Sequence, residues 1–282
     1  MEIQHFFDKA TSTLTYVVHD VKIGIVIDPV LDYDPKSART SFGSAEAVAK
    51  YTDEKNLTIL YVIDTHAHAD HLTAMPFFKN RFGARTVTGS RMGEVQRIFR
   101  EIYNLGSEFP VDGRQFDLLL DEGQELDIGS FRVRAMHTPG HTPAHMSWQI
   151  EDALFVGDTL FMPDYGTARC DFPGGSAEQL FDSIQRIYSL PGSTRLFMCH
   201  DYQPGGRELR FVTTVTEQKR SNIQLSERTT KPDYVAFRKK RDAQLDMPTL
   251  ILPSIQVNIR AGEFPEPEAN GTAYLKIPLN VF

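Results

Sequence analysis

Residues Asp64-Thr65-His66-Ala67-His68-Ala69-Asp70-His71 crowd three histidines and an aspartate into the six positions from His66 to His71. A folded core rarely has that composition. A solvated loop would carry one histidine by chance, but not three with an aspartate. Imidazole and carboxylate together suit borderline divalent metals such as Zn2+ and Fe2+. The run just before, TILYVI at 58–63, is β-branched and aromatic and reads as a buried strand. Ligand-type residues therefore stand where a rigid strand ends and a loop begins.

Three later segments repeat this arrangement. FRVRAM at 131–136 leads into His137-Thr138-Pro139-Gly140-His141, ALFVG at 153–157 into Asp158, and RLFMC at 195–199 into His200-Asp201-Tyr202. Each apolar strand delivers a ligand-type residue at its exit. Strands hold a site more rigidly than loops alone.

The series His66-x-His68-x-Asp70-His71, then His141, Asp158 and His200, resembles the metallo-β-lactamase superfamily in order and separation, over most of the chain to about residue 225. The resemblance implies an αβ/βα sandwich, two mixed β-sheets packed face to face with helices outside and the ligand loops at one edge. The family pattern allows two metals. His66, His68 and His141 would hold the first, and Asp70, His71 and His200 the second, with Asp158 between them. Glyoxalase II, a glutathione thioester hydrolase, resembles that arrangement, and all of these positions are filled here.

A second layer of resemblance points to the persulfide dioxygenase branch. It rests on Arg169-Cys170-Asp171-Phe172, Cys199-His200-Asp201-Tyr202, Glu217-Gln218-Lys219-Arg220-Ser221-Asn222 and the tail around Leu252-Pro253-Ser254-Ile255-Gln256-Val257-Asn258. Cys170 and Thr167 depart from the residues some relatives carry there. This likeness implies one Fe(II) per chain on His66, His141 and Asp158, a two-His-one-carboxylate set. His68, Asp70, His71 and His200 would then be polar catalytic neighbours. The implied reaction joins glutathione persulfide with O2 and water to give sulfite and glutathione. Arg169, Tyr202 and Arg220 are the candidate substrate contacts, because a glutathione-sized substrate carries carboxylates that an arginine fork pairs well; structural ion pairs are the alternative for Arg169 and Arg220. The alternative is a two-zinc thioester hydrolase like glyoxalase II. A non-catalytic metal-binding or redox-sensing protein is a third reading, disfavoured by the complete ligand set.

Composition fits an ordinary globular enzyme. The 282 residues are 41% hydrophobic and 24% charged, and can bury a large core. A net charge of −7 gives no reason to expect nucleic-acid binding. Two cysteines, Cys170 and Cys199, make no CxxC or disulfide framework. The N-terminus lacks a signal-peptide pattern, and no stretch is apolar enough to span a membrane, so a cytoplasmic location away from membranes is expected. A homodimer stays open. Residues 1–230 read as the catalytic domain. Residues 231–282 read as a C-terminal helix and Pro-containing tail packed on it, with the boundary near Thr229-Thr230-Lys231-Pro232.

The remaining pattern predicts strands at 13–18, 23–27 and 85–88, and helices at 44–51, 72–82, 90–105, 208–227 and 233–244. Ser176-Ala177-Glu178-Gln179 is a capping-box start for another helix ending near Leu190. The prolines from Pro248 onward forbid a long helix in the tail. Outside the motif, His137 and His145 flank His141 and have two readings, loop histidines satisfied by backbone, which is favoured, or supports for the metal ligands; His5 and His19 read as surface residues. Asp64 has two readings, an acceptor for a ligand imidazole or ordinary loop polarity. Lys239-Lys240-Arg241 reads as a solvated helix face and Cys199 as a packed small residue. Cys170 is even between core and cleft. Tyr33 and Tyr165 carry no assigned role.

Overall fold

The computed structural model describes residues 1–281. The chain begins with β1 (Glu2–Asp8), β2 (Thr13–His19), β3 (Ile23–Ile27), β4 (Val30–Asp34), β5 (Arg39–Ser41), α1 (Gly43–Glu54) and β6 (Thr58–Ile63). It continues through β7 (Leu72–Thr73), α2 (Met75–Phe82), β8 (Arg85–Gly89), α3 (Met92–Ile102) and β9 (Leu118–Leu120). Then come β10 (Glu125–Asp127), β11 (Arg132–His137), β12 (Met146–Ile150), β13 (Ala153–Phe155), α4 (Ala177–Tyr188), β14 (Arg195–Phe197) and β15 (Val212–Thr214). Three helices finish it: α5 (Val215–Ser221), α6 (Lys231–Asp242) and α7 (Ile251–Asn258).

Two six-stranded sheets result, β1-β2-β3-β6-β8-β9 and β10-β11-β12-β13-β14-β15, with a small β5-β4-β7 sheet beside them. In the first sheet β3, β6, β8 and β9 run parallel, and α1, α2 and α3 make the crossovers that parallel strands require. In the second, β13 and β14 pair in parallel across α4. Leu14, Tyr16, Val18, Ile25 and Ile27 of the first sheet meet Val133, Trp148, Ile150 and Phe155 of the second in a shared core. Val95, Phe99 and Phe78 pack helices on the outer face of the first sheet, and Leu180, Ile184 and Tyr234 do so on the second. This is the αβ/βα sandwich that the sequence resemblance implies. The sheets are stitched at one edge, where Leu14 N–H donates to Cys199 carbonyl (2.7 Å) and Met146 N–H to Thr65 carbonyl (2.8 Å).

Two predicted helices need correction. At 72–82, Leu72 and Thr73 instead form β7 against β4, and the helix starts at Met75, with Pro76 in the first turn where its missing N–H costs nothing. At 208–227, β-branched Val212-Thr213-Thr214 pairs with β14, and only Val215–Ser221 is helical. Asn222 then ends the helix, its Oδ1 accepting the N–H groups of Gln224 and Leu225. Ser176 caps α4 as expected, accepting Gln179 N–H. His19 is buried rather than at the surface, with its ring nitrogens on Tyr51 hydroxyl (2.8 Å) and Asp20 carbonyl (2.6 Å).

Candidate metal centre

The strand exits converge. β6 ends in the loop that carries His66, His68, Asp70 and His71. β11 leads to His141, β13 to Asp158 and β14 to His200. His66, His141 and Asp158 offer ligand atoms that lie within 4.8 Å of one another, and His68, Asp70, His71 and His200 do the same. Asp158 touches both groups: its Oδ2 lies 3.7 Å from His141 Nε2, and its Oδ1 lies 3.3 Å from His200 Nε2.

Each imidazole uses one nitrogen on the protein and turns the other inward. His66 Nδ1 is 3.0 Å from Thr65 Oγ1, and His68 Nε2 is 3.1 Å from Asp28 Oδ1. His141 Nδ1 donates to Arg169 carbonyl at 2.8 Å, and His200 Nδ1 to Ser12 carbonyl at 3.2 Å. Among the described residues, His66 Nε2, His68 Nδ1, His71 Nε2, His200 Nε2 and Asp158 Oδ1 are buried without an aligned hydrogen bond. Leaving one such atom unsatisfied costs about 1–3 kcal/mol, so inward-facing atoms of this kind call for partners. A divalent cation at His66, His141 and Asp158 would satisfy those of the first group, and a second cation or bound polar groups those of His68, His71 and His200; orienting bonds on the opposite ring nitrogens are usual for metal-binding histidines. The donor set therefore fits a metal.

Charge follows the same logic. Burial, reinforced by His68 and His145, holds His66 far below the ordinary imidazole range, in the neutral form that binds metals. Burial works against charge on His68 too, but the Asp28 carboxylate beside it pushes its pKa up to about 9. Burial opposes ionisation of Asp70, yet His200 and His71 hold its carboxyl well below the usual range. Asp64, buried and near the Asp28 charge, is pushed up. It accepts from Thr73 Oγ1 (3.1 Å), while the carboxylate on a motif imidazole is that of Asp28.

Asp28 is the residue that sequence reasoning passed over, and for His145 the less favoured sequence reading, a support for the metal ligands, is the one its contacts match. Asp28 follows β3, so it too is an acid at a strand exit, the signal used for Asp158. It also accepts Thr65 N–H at 2.7 Å. His145 is fully buried, stacks on His66 (centroids 4.8 Å) and accepts Asp158 N–H through Nε2 at 2.9 Å. Gly157, at φ +52°, lets this happen, because a Cβ there would fall 2.6 Å from His145 Nε2. His137 donates to Pro143 carbonyl, a loop role.

A cavity of about 530 Å3 opens onto Asp70, His141 and Asp158. Tyr202 lines it, stacked between His200 (5.6 Å) and Tyr165 (4.7 Å), and Tyr33 lines it as well. Arg169 also lines it, but its guanidinium is engaged by Asp171 (2.5 and 2.6 Å) and by Asp246 carbonyl. Arg220 is exposed on α5 and is not a cavity residue, because the buried side of that helix carries Val215 and Gln218. Cys170 packs into the core under the second sheet rather than lining the cavity. Cys199 is buried, its thiol pushed well up by burial and nearby carboxylates. Arg241, read from sequence as solvated, faces the cavity.

The metallo-β-lactamase superfamily model matches residues 9–200. The chain belongs to the metallo-β-lactamase superfamily. It is a metal-dependent enzyme fold with a His/Asp metal-binding cluster. It is 50% identical to a Burkholderia pseudomallei protein named "Probable metallo-hydrolase", over 99% of both chains. It is 45% identical to "Glyoxylase B2" of Dictyostelium discoideum, over 99% of this chain and 97% of that one. More distantly, it is 28% identical to human mitochondrial persulfide dioxygenase ETHE1, over 79% of this chain and 76% of that one. The crystal structure of ETHE1 from Myxococcus xanthus superposes with a TM-score of 0.75 at 28% identity, covering 93% of this chain and all of that one. Other relatives are longer: this chain spans 64% of the length of the "Beta-lactamase hydrolase-like protein" of Xylella fastidiosa. Among the described residues, no helix is long and apolar enough to cross a membrane.

Proposed function

We propose that this chain is a glutathione persulfide dioxygenase holding one Fe(II) on His66, His141 and Asp158. The observation that carries this reading is the role of the Arg169-Cys170-Asp171-Phe172 element. Its Arg169 carbonyl accepts the His141 Nδ1 hydrogen bond, and its Phe172 ring packs against His141 at 5.8 Å. The element that marks the dioxygenase likeness in sequence thus orients a motif histidine in space. The ETHE1 likenesses in sequence and structure support the same reading.

Glutathione persulfide, O2 and water would give glutathione and sulfite. Fe(II) would supply redox chemistry at sulfur that Zn2+ lacks. The protein's part is positional. His145 fixes the Asp158 backbone, and the neutral His66 ring is ready to ligate. Phe161, Tyr165 and Tyr202 form an aromatic wall along the cleft. His68, Asp70, His71 and His200 would hydrogen-bond around the reacting centre. The division into 1–230 and 231–282 belongs to this proposal, with the second segment closing the cavity of the first. A cytoplasmic location, where glutathione is abundant, belongs to it too.

The dinuclear hydrolase is the second reading. It is favoured by the inward-facing atoms of His68, His71 and His200 and by the hydrolase names of close relatives. Metal analysis and oxygen uptake separate the two. We expect about one iron per chain, and O2 consumption with glutathione persulfide but negligible S-lactoylglutathione hydrolysis. His66→Ala, His141→Ala and Asp158→Ala should lose iron, whereas His71→Ala and His200→Ala keep most of it and turn over slowly. Two zincs per chain with efficient thioester hydrolysis and no O2 uptake would reject the dioxygenase.

A further inference from the structure

Part of the cavity wall comes from residues 238–250, beyond the segment 9–200 that matches the family model. The charged groups beside this wall divide into two kinds. Arg169 and Arg238 are spent inside the protein. Arg169 is held by Asp171 and by Asp246 carbonyl, and the buried Arg238 by Asp242, Gln224 and Thr167 carbonyl. Arg241 and Asp246 are not. Both are exposed and both line the cavity, and among the described residues neither side chain has an ion pair or hydrogen bond.

Their surroundings tie them to the site. Tyr165 and Arg241 line the same cavity, and the Arg241 charge is the first to oppose the rise that burial gives the Tyr165 hydroxyl. Tyr165 stacks on Tyr202, and Tyr202 on His200. The cavity that Arg241 lines reaches the ligand cluster at Asp70, His141 and Asp158. Asp246 has its backbone fixed by Arg169 at 2.6 Å, and its carboxylate, which acts on the Arg169 charge without bonding to it, has no hydrogen bond of its own among the described residues.

We infer that Arg241 and Asp246 form a subsite for a free α-amino-acid head group. The guanidinium takes the α-carboxylate through its planar fork, and the Asp246 carboxylate takes the α-ammonium. The two charges have opposite sign and share one wall, yet leave each other unpaired. A zwitterion between them neutralises both, which a simple carboxylate or amine does not. The inference rests on the persulfide reading only for orientation: the sulfur end points to the metal-ligand cluster and the amino-acid end to α6. A γ-glutamyl group has this form.

Calorimetric titration of the iron-loaded protein with S-methylglutathione tests the subsite, since the blocked sulfur removes thiolate ligation from the signal. Arg241→Ala should weaken binding about tenfold, and Arg241→Lys should recover part of it. Asp246→Asn should weaken S-methylglutathione several-fold but leave N-acetyl-S-methylglutathione, which lacks the ammonium, unaffected. Iron content and melting temperature should match wild type. In oxygen uptake with glutathione persulfide, KM should rise in step with the binding loss while kcat holds within about twofold. Unchanged S-methylglutathione affinity in both Arg241→Ala and Asp246→Asn overturns the subsite, and the dioxygenase survives if wild type still consumes O2. Affinity that depends on both residues in a protein that consumes no O2 keeps the subsite and rejects the dioxygenase. Wild-type protein that neither binds S-methylglutathione nor consumes O2 overturns both.

Discussion

His145 governs Asp158 through its backbone. The ring accepts Asp158 N–H, stacks on His66 and anchors its own Nδ1 on Thr138 Oγ1 at 3.0 Å. Burial pushes its pKa far down, so the ring stays neutral and Nε2 stays an acceptor. His145→Ala would strand the Asp158 N–H and free the His66 ring. Iron affinity, read by competition with a chelator, should fall by about 10–100-fold, as for other partners of metal ligands. His145→Gln keeps an acceptor and should recover part. Equal iron affinity in wild type and His145→Ala would show that Asp158 is held without it. The ligand residues themselves were legible in sequence because each follows an apolar strand. Asp28 carried the same signal but stands alone before Pro29, with no second ligand-type neighbour to draw notice. The partner of His145 was not legible, because it is a backbone N–H thirteen residues away. Arg169 was read as a candidate substrate contact with a structural ion pair as the alternative, and its partner Asp171 was not legible because that pairing depends on the turn between them.

At the scale of elements, α7 holds the ligand loop. Asn258, at its end, is fully buried and uses its whole amide on residues 68–73. Its Nδ2 donates to the carbonyls of His68 and His71, both at 2.8 Å, and its Oδ1 accepts Thr73 N–H at 2.9 Å. Asn258→Asp has nearly the same shape but loses both donors, setting a carboxylate against two carbonyls. Stranding each buried group costs about 1–3 kcal/mol. Asn258→Asp should therefore melt several degrees lower and bind iron more weakly. A variant with wild-type melting temperature and iron affinity would show that the loop holds its shape unaided. The likeness of the tail to the dioxygenase branch was visible from sequence, but this clamp was not. Most of the larger elements were legible because period and capping agree, as at Ser176. The two misread helices failed where β-branched or apolar residues beside a helix had strand partners elsewhere in the chain, Leu72 on β4 and Val212 on β14.

For the whole molecule, the motif residues lie across the seam between the two sheets. The loop bearing His66 leaves the first sheet, and His141, Asp158 and His200 leave the second. The protein's own stitches there include the Thr13–His200 bridge, made by Leu14 N–H to Cys199 carbonyl and Asp201 N–H to Ser12 carbonyl, the Met146 to Thr65 backbone bond, and the Tyr16 hydroxyl on Met198 carbonyl. A cation on His66, His141 and Asp158 would tie both sheets together, so it should stabilise the fold as a whole. A ligand at 100 times its dissociation constant adds about 2.7 kcal/mol. For a chain of this size that corresponds to a melting shift of about 5 °C. Stripping the metal with a chelator should lower the melting temperature by about that much and speed amide exchange at Leu14 and Met146, whose N–H groups cross the seam. His66→Ala, already without its metal, should melt at the same temperature with and without chelator. Iron lost from wild type with no change in melting or exchange would mean that the backbone stitches alone hold the sheets together.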